Sequence, residues 1–506
     1  MEQGNDVYEN QELPVVASDV DCILLTHAHI DHSGLIPLMY VNGFRGQVYS
    51  TSATAQLCEI MLRDSAHIQM FEAEWRNRKA ARSGGKLKEF VPLYDMDAAV
   101  NVCKQFVGCE YDKIYNIADG IKIRFTDVGH LLGSASIEVW ATEKTENGDV
   151  TEKIVFSGDI GNINKPIIKD PKHVTDADYV VMESTYGNRS HGGTPNYVED
   201  LTNIFKRTFE RGGNVVIPSF AVGRTQELLY IIRKIKEDNL VGRDFDVYMD
   251  SPLAIEATNI FIKNVESCFD DEAVELVRKG INPLSFPGLK YATTGDESKQ
   301  INFDPNPKVI ISSSGMCEAG RIRHHLKHNL WRPECTIVFV GYQAVGTTGR
   351  IIVDGAEEIK LFGEPIQIKA EIVQLKGSSG HADKDGLLCW INAFDRKPKK
   401  VFVVHGEDSV CDEFTECLKE EYGYDAMAPY TGGSYDLIAD RVISEGVKER
   451  KTRRTTSTQR GKTVFDRLVA AGKRLMTVIT HNEGGTNKDL AKFTDQINAL
   501  CDKWDR

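Results

Sequence analysis

The chain lacks any run approaching the roughly 20 apolar residues that a membrane span requires, and its polar start, Met1-Glu2-Gln3-Gly4-Asn5-Asp6, is no signal peptide. No membrane association and a cytoplasmic location are therefore expected. Its eleven cysteines include no Cys-x-x-Cys pair and no regular spacing, so neither a disulfide framework nor a thiolate zinc site is indicated, and reduced thiols are expected. A basic excess is missing as well. The net charge of −13 argues against non-specific nucleic-acid binding by the surface as a whole, while leaving room for a cleft or metal centre that attracts phosphate locally. What is present is 506 residues with 41% hydrophobic content, ordinary for a globular protein and enough for about three domains at ~150 residues each.

Residues 27 to 32 read His27-Ala28-His29-Ile30-Asp31-His32, directly after the apolar run Cys22-Ile23-Leu24-Leu25-Thr26. Side chains two apart in an extended segment point the same way, so His27 and His29 can hold one cation together. Asp31 and His32 follow where the chain turns into the amphipathic stretch from Ser33, and can hold another. Imidazole and carboxylate without thiolate suit zinc; manganese and iron fit less well. A closed structural zinc site is usually rich in Cys and needs only four ligands, whereas further candidates follow here.

An apolar strand-like run ending in His or an acid recurs five more times. Ile121–Thr126 leads to His130, Ile154–Gly158 to Asp159, Tyr179–Met182 to Glu183, Ile372–Leu375 through Lys376–Gly380 to His381, and Val401–Val404 to His405. Ligands at strand carboxyl ends can converge on one edge of layered sheets, where α/β proteins usually place their chemistry.

These motifs together resemble those of a known family. His27-x-His29-x-Asp31-His32, His130 and Asp159 are similar to the metal-binding motifs of the metallo-β-lactamase superfamily. Glu183-Ser184-Thr185-Tyr186-Gly187, Ser379-Gly380-His381-Ala382-Asp383 and Val404-His405-Gly406-Glu407 look like the three extra motifs of the β-CASP nucleases. The resemblance covers residues 1 to about 440 and is nearer to the mRNA 3′-end cleavage endonuclease subunit, with its bacterial and archaeal relatives, than to ribonuclease J. It implies an α/β fold, an αββα metallo-β-lactamase sandwich carrying an inserted Rossmann-like β-CASP domain. The implied segments are 1–188 (sandwich, first part), 189–361 (insertion), 362–445 (sandwich, second part) and 446–506 (basic linker and helical extension).

It also implies a zinc-dependent ribonuclease acting on single-stranded RNA, most simply as an endonuclease. His27, His29 and His130 would bind one zinc and Asp31, His32 and His405 the other, with Asp159 bridging a pair about 3.5–4 Å apart. The two ions would lower the pKa of a bridging water towards ~7, so that hydroxide attacks the phosphodiester. His381, oriented by Glu183, would protonate the departing alkoxide, and Asp31 is counted with them as catalytic. His at the last motif is what the RNA enzymes of the group carry; a DNA nuclease, a small-molecule metallohydrolase and a non-catalytic scaffold subunit are the competing classes. A homodimer is left open.

Within the 189–361 segment, Val215–Pro218, Val247–Met249 and Val309–Ile311 each precede a helical stretch, an alternation that argues for a parallel sheet. Ser312-Ser313-Ser314-Gly315-Met316 lies between strand and helix, where backbone N–H groups and hydroxyls could bind a substrate phosphate; an ordinary βα turn is the equal alternative. It is no Walker motif.

Ala53–Lys79 has Leu57, Ile60, Met61, Ile68, Phe71 and Trp75 at helical spacing and predicts a long helix packed on the sandwich. Lys448, Arg450, Lys451, Arg453, Arg454, Arg460 and Lys462 mark a basic linker. Met1–Gly4 looks like the tail of an Asp-containing opening motif, so the chain is expected to begin late, without the family's first strands.

Overall fold

The computed structural model describes residues 13–82, 90–146, 148–190, 192, 196–375 and 379–447 and parts of 468–504. Met1–Gly4, Lys376–Ser378 and the basic 448–462 segment lie outside the described residues. Short apolar strands β1 (Cys22–Leu24), β2 (Gln47–Thr51) and β3 (Phe106–Cys109) form a three-stranded parallel sheet. An antiparallel run follows, β4 (Ile114–Ala118), β5 (Ile121–Asp127), β6 (Ala135–Thr145) and β7 (Gly148–Phe156), before β8 (Tyr179–Glu183) joins parallel to β7.

The inserted segment builds its own sheet from β9 (Val215–Pro218), β10 (Asp246–Asp250), β11 (Leu289–Tyr291), β12 (Lys308–Ser312) and β13 (Thr336–Phe339). A hairpin of β14 (Glu358–Leu361) and β15 (Glu364–Gln367) leads to β16 (Glu371–Gln374). The order is β11-β10-β12-β9-β13-β16, with every pairing parallel. Val215 and Ile217 face the Arg224–Glu237 helix side, and Val216 faces the Ile322–Asn329 side. A parallel sheet covered on both faces explains the unbroken Val/Ile runs. The Ile372-Val373 run differs from expectation: it is the edge strand of this sheet, paired with β13, and not a strand of the returning sandwich. Its composition suits either sheet, so only tertiary pairing decides.

The chain then returns as β17 (Lys400–Val404) and β18 (Ala426–Met427), completing a seven-stranded sheet in the order β18-β17-β8-β7-β6-β5-β4. Leu24 and Tyr49 from the small sheet pack on Ile123, Phe125 and Ile137 of the large one. Helices cover both outer faces: Ile36–Val41, Ser52–Arg82 and Met96–Cys103 on one side, Lys384–Ile391 and Asp408–Glu420 on the other. This is an αββα sandwich.

The long helix, Ser52–Arg82, buries Leu57, Ile60 and Met61, but Ile68, Phe71 and Trp75 are 46%, 58% and 52% exposed. Its second half is packed through Ala66, Gln69 and Ala73, with Gln69 and Asn77 bonded to the Phe90–Leu93 segment, so the Ile68, Phe71 and Trp75 stripe expected to face the sandwich points outward.

Candidate metal centre

Each candidate ligand stands at or just beyond the carboxyl end of a sandwich strand. His27 and His29 follow β1, and the short Ile30–Ser33 helix that begins after His29 carries Asp31 and His32. His130 lies between β5 and β6, where the Ser134 hydroxyl accepts from the His130 and Leu131 N–H groups at 3.0 and 3.1 Å. Asp159 follows β7 and Glu183 ends β8. In the β8–β17 register Glu183 pairs with Val404, which sets His405 beside it. His405 adopts φ +51, a left-handed conformation uncommon outside glycine but more accessible to His than to most residues, and its carbonyl accepts from the Ser184 N–H at 3.0 Å. Gly161 is required by close approach, since a Cβ there would stand 2.0 Å from the Gly129 oxygen.

The side chains converge. His29 Nδ1 lies 3.1 Å from both His27 Nε2 and His130 Nε2. Asp159 Oδ2 lies 3.3 Å from His27 Nε2 and 3.6 Å from His130 Nε2, and its Oδ1 lies 3.3 Å from His32 Nε2 and 3.6 Å from His405 Nδ1. His405 Nε2 is 3.2 Å from His32 Nε2 and 3.6 Å from Asp31 Oδ2. Among the described residues three groups of potential ligands result, His27/His29/His130/Asp159, Asp31/His32/His405 and Asp159/Glu183/His405, with ligand atoms within 4.8 Å of one another in each.

These residues fit a pair of metal ions. Asp159 is buried, and its Oδ1 makes no well-aligned hydrogen bond, its contacts being the His32 and His405 rings at 3.3 and 3.6 Å, an arrangement that a cation between them would complete. Burial pushes the His29 pKa down to about 3, with His27 adding to the effect, and it also lowers His27 and His130. Neutral imidazole is the form that binds metal. Burial opposes ionisation of Asp159 and Asp31, yet the surrounding imidazoles hold both carboxyls below the usual range.

Glu183 is engaged differently. Its oxygens accept from the Ile160 N–H at 2.5 Å, from the Thr185 N–H at 3.3 Å, and face His381 Nδ1 at 3.1 and 3.2 Å. It also lies within ligand range of Asp159 and His405, but these commitments leave it less available. His381, 3.9 Å from Asp159 Oδ2, is desolvated, but the Glu183 carboxylate raises its pKa above the ordinary value.

The Ser312–Gly315 loop is mostly turned inward. Ser312 is buried and donates to the Asp250 carbonyl at 2.9 Å, Ser313 donates to Ser251 Oγ at 3.0 Å, and the half-buried Ser314 reaches the Ala319 carbonyl at 3.4 Å. Sequence reasoning passed over Lys165, whose ammonium donates to the His130 carbonyl at 2.9 Å and pairs with Glu227 at 3.2 Å, tying the insertion to the ligand loop. It also passed over Asp250, although that residue ends an apolar strand as the candidate ligands do.

Sandwich, insertion and converging donors define the class: a metallo-hydrolase. The Beta-Casp domain family matches residues 225–352, and the Zn-dependent metallo-hydrolase RNA specificity domain matches residues 365–429. The chain is 35% identical over 390 residues to a ribonuclease of Thermus thermophilus, covering 77% of this chain and 82% of that protein. An RNase J-like protein of Methanocaldococcus jannaschii is 31% identical, with 78% and 84% covered. The transcription termination factor FttA of Methanosarcina mazei is 31% identical over 81% of this chain, which spans only 62% of that factor's length. The chain belongs to the β-CASP RNA nucleases of the metallo-β-lactamase superfamily. Among the described residues no helix is long and apolar enough to cross a membrane, and all eleven cysteines are free.

Proposed function

We propose that the chain is a cytoplasmic two-zinc ribonuclease that hydrolyses single-stranded RNA internally. The observation that carries this reading is the convergence of His27, His29, Asp31, His32, His130 and His405 around a buried carboxylate, Asp159, that the protein leaves unsatisfied. His27, His29 and His130 would hold one ion, Asp31, His32 and His405 the other, and Asp159 both. When bound, such a pair supplies Lewis acidity towards the phosphoryl oxygens and a water of lowered pKa.

The chain's own groups do the rest. Glu183 accepts the Nδ1–H of His381, which fixes that proton on Nδ1 and leaves Nε2 as the atom that takes up and releases the second proton of the charged ring. The same carboxylate favours the charged ring, so Nε2 can give its proton to the departing 3′-oxygen as that bond breaks. Glu183 is itself held by the Ile160 and Thr185 N–H groups. The His130 ring faces the Gly380 carbonyl through Nδ1 at 3.2 Å, which turns Nε2 into the centre. In the Ser312–Gly315 loop the inward hydroxyls stiffen the turn, and Ser314, held through long bonds to Ala319, would have to exchange them to meet a substrate phosphate.

The experiment is cleavage of a labelled single-stranded RNA and of the same RNA closed into a circle, by zinc-loaded protein. Cutting of both, with 5′-phosphate and 3′-hydroxyl ends, is expected. A circle left intact while the linear strand is degraded from one end would replace the endonuclease by an exonuclease.

A further inference from the structure

At the centre of the inserted sheet, β12 and β9 are neighbours whose connections part. From β9 the chain crosses to β10 on one side, through the Arg224–Glu237 helix; from β12 it crosses to β13 on the other, through the Ile322–Asn329 helix. The two helices cover opposite faces. Such a divergence opens a crevice at the carboxyl ends of the two strands, the usual ligand position in an open parallel sheet.

Phe220 sits in this crevice. Its backbone is fixed on both sides: the Ser219 N–H donates to the Ser312 carbonyl at 3.0 Å, and the Thr225 hydroxyl donates to the Phe220 carbonyl at 2.7 Å. The ring lies on glycine. A Cβ on Gly315, after β12, would stand 3.1 Å from Phe220 Cδ2, and one on Gly341, after β13, would stand 3.7 Å from Cε2. With a side-chain-free floor from the strands on either side, the ring remains 44% exposed, and Tyr342, the residue after Gly341, is 48% exposed.

The same loop reaches the metal centre. Gly223, three residues on, would place a Cβ 3.1 Å from Leu131 Cδ1, next to His130, and Glu227 pairs with the lysine that holds the His130 carbonyl. A half-exposed aromatic residue resting on glycine backbone contributes little to a core, and it stands on the loop that reaches Leu131 beside His130.

We propose that Phe220 is the stacking platform for one nucleobase of the RNA strand entering the metal centre. This rests on the ribonuclease reading and names how that enzyme holds its strand: by a base face, which every nucleotide offers, with sequence tolerance as the consequence. Stacking acts on binding, so it belongs in KM and not in the proton transfer or the metal ligands.

The test compares wild type, Phe220→Leu and Phe220→Trp on a single-stranded RNA and on a set in which one abasic nucleotide is moved along the strand. Phe220→Leu should raise KM about 5- to 100-fold with kcat little changed, and Phe220→Trp should restore it. One abasic position should impose the same penalty on wild type and none on Phe220→Leu. Melting temperatures close to wild type separate this from misfolding. An unchanged KM in Phe220→Leu, or an equal abasic penalty in both proteins, overturns the inference. Wild type that cleaves no RNA overturns the ribonuclease reading instead, before any variant is compared.

Discussion

Two buried carboxylates, Asp159 and Asp250, stand at strand carboxyl ends with histidine against them, and their surroundings are built on opposite terms. In the insertion, Asp250 accepts from Ser298 Oγ at 2.5 Å, from His325 Nε2 at 2.6 Å and from Arg321 Nη1 at 2.7 Å, while Arg321 also donates to the Ala292 and Thr293 carbonyls. His325 is closed on its other side by Asn302 at 3.0 Å. In the sandwich, Asp159 keeps an oxygen without a hydrogen bond among imidazoles whose nitrogens face one another. The first cluster is complete within the protein and braces the Ser312 turn; the second is arranged as potential ligands that fit a metal-binding site. The two acids share residue type and strand-end position, so satisfaction of the polar atoms is what tells a site from a strut.

The sharpest way to break this comparison is Asp159→Ala, which should bring RNA cleavage to background if this carboxylate is the bridge proposed between the two ligand groups; residual cleavage near wild type would make Asp159 a strut like Asp250. Next comes His381→Ala, expected to slow cleavage by roughly 10²–10⁴-fold with metal content and RNA binding intact. An RNA analogue with an activated leaving group should lose far less, and an equal loss would refute the proton-donor role.

Asp250→Ala should act on stability alone. It strands Arg321 and His325, at a cost of about 3 kcal/mol, seen as a lower melting temperature with zinc content unchanged; lost zinc would dissolve the distinction between the clusters.

The smallest effect concerns Asp127, whose carboxylate accepts from the Gly129 N–H at 3.0 Å ahead of His130. Burial raises its pKa to about 7, against that hydrogen bond. A carboxyl that holds its proton more tightly folded than unfolded stabilises fully below about pH 4 and loses that contribution as pH rises through 7. Wild type should therefore lose melting temperature relative to Asp127→Asn between pH 5 and 8. Parallel curves would show that Asp127 is ionised in the fold.

The contiguous His27–His32 motif and the strand-end residues were legible because ligand chemistry needs particular residue types next to the strands that aim them, and the structure brings all of these together. The strand-end rule is also where legibility stops: it fits Asp250 as well as Asp159, and only packing separates the closed acid from the open one. Pairing hid Ile372-Val373, whose composition suits either sheet. Helical period placed Ile68, Phe71 and Trp75 on one stripe but could not say that the neighbouring stripe of Ala66, Gln69 and Ala73 is the one that packs. Phe220 gave no signal, since its meaning lies in glycines about 95 and 121 positions away that the sheet order sets beside it.

The most direct test of the central claim is zinc stoichiometry by elemental analysis of wild type, Asp159→Ala and Asp250→Ala prepared together. About two ions per chain in wild type and in Asp250→Ala, and loss of both in Asp159→Ala, is the expected result. Two ions retained in Asp159→Ala would contradict the claim that its unsatisfied carboxylate is the centre of the site.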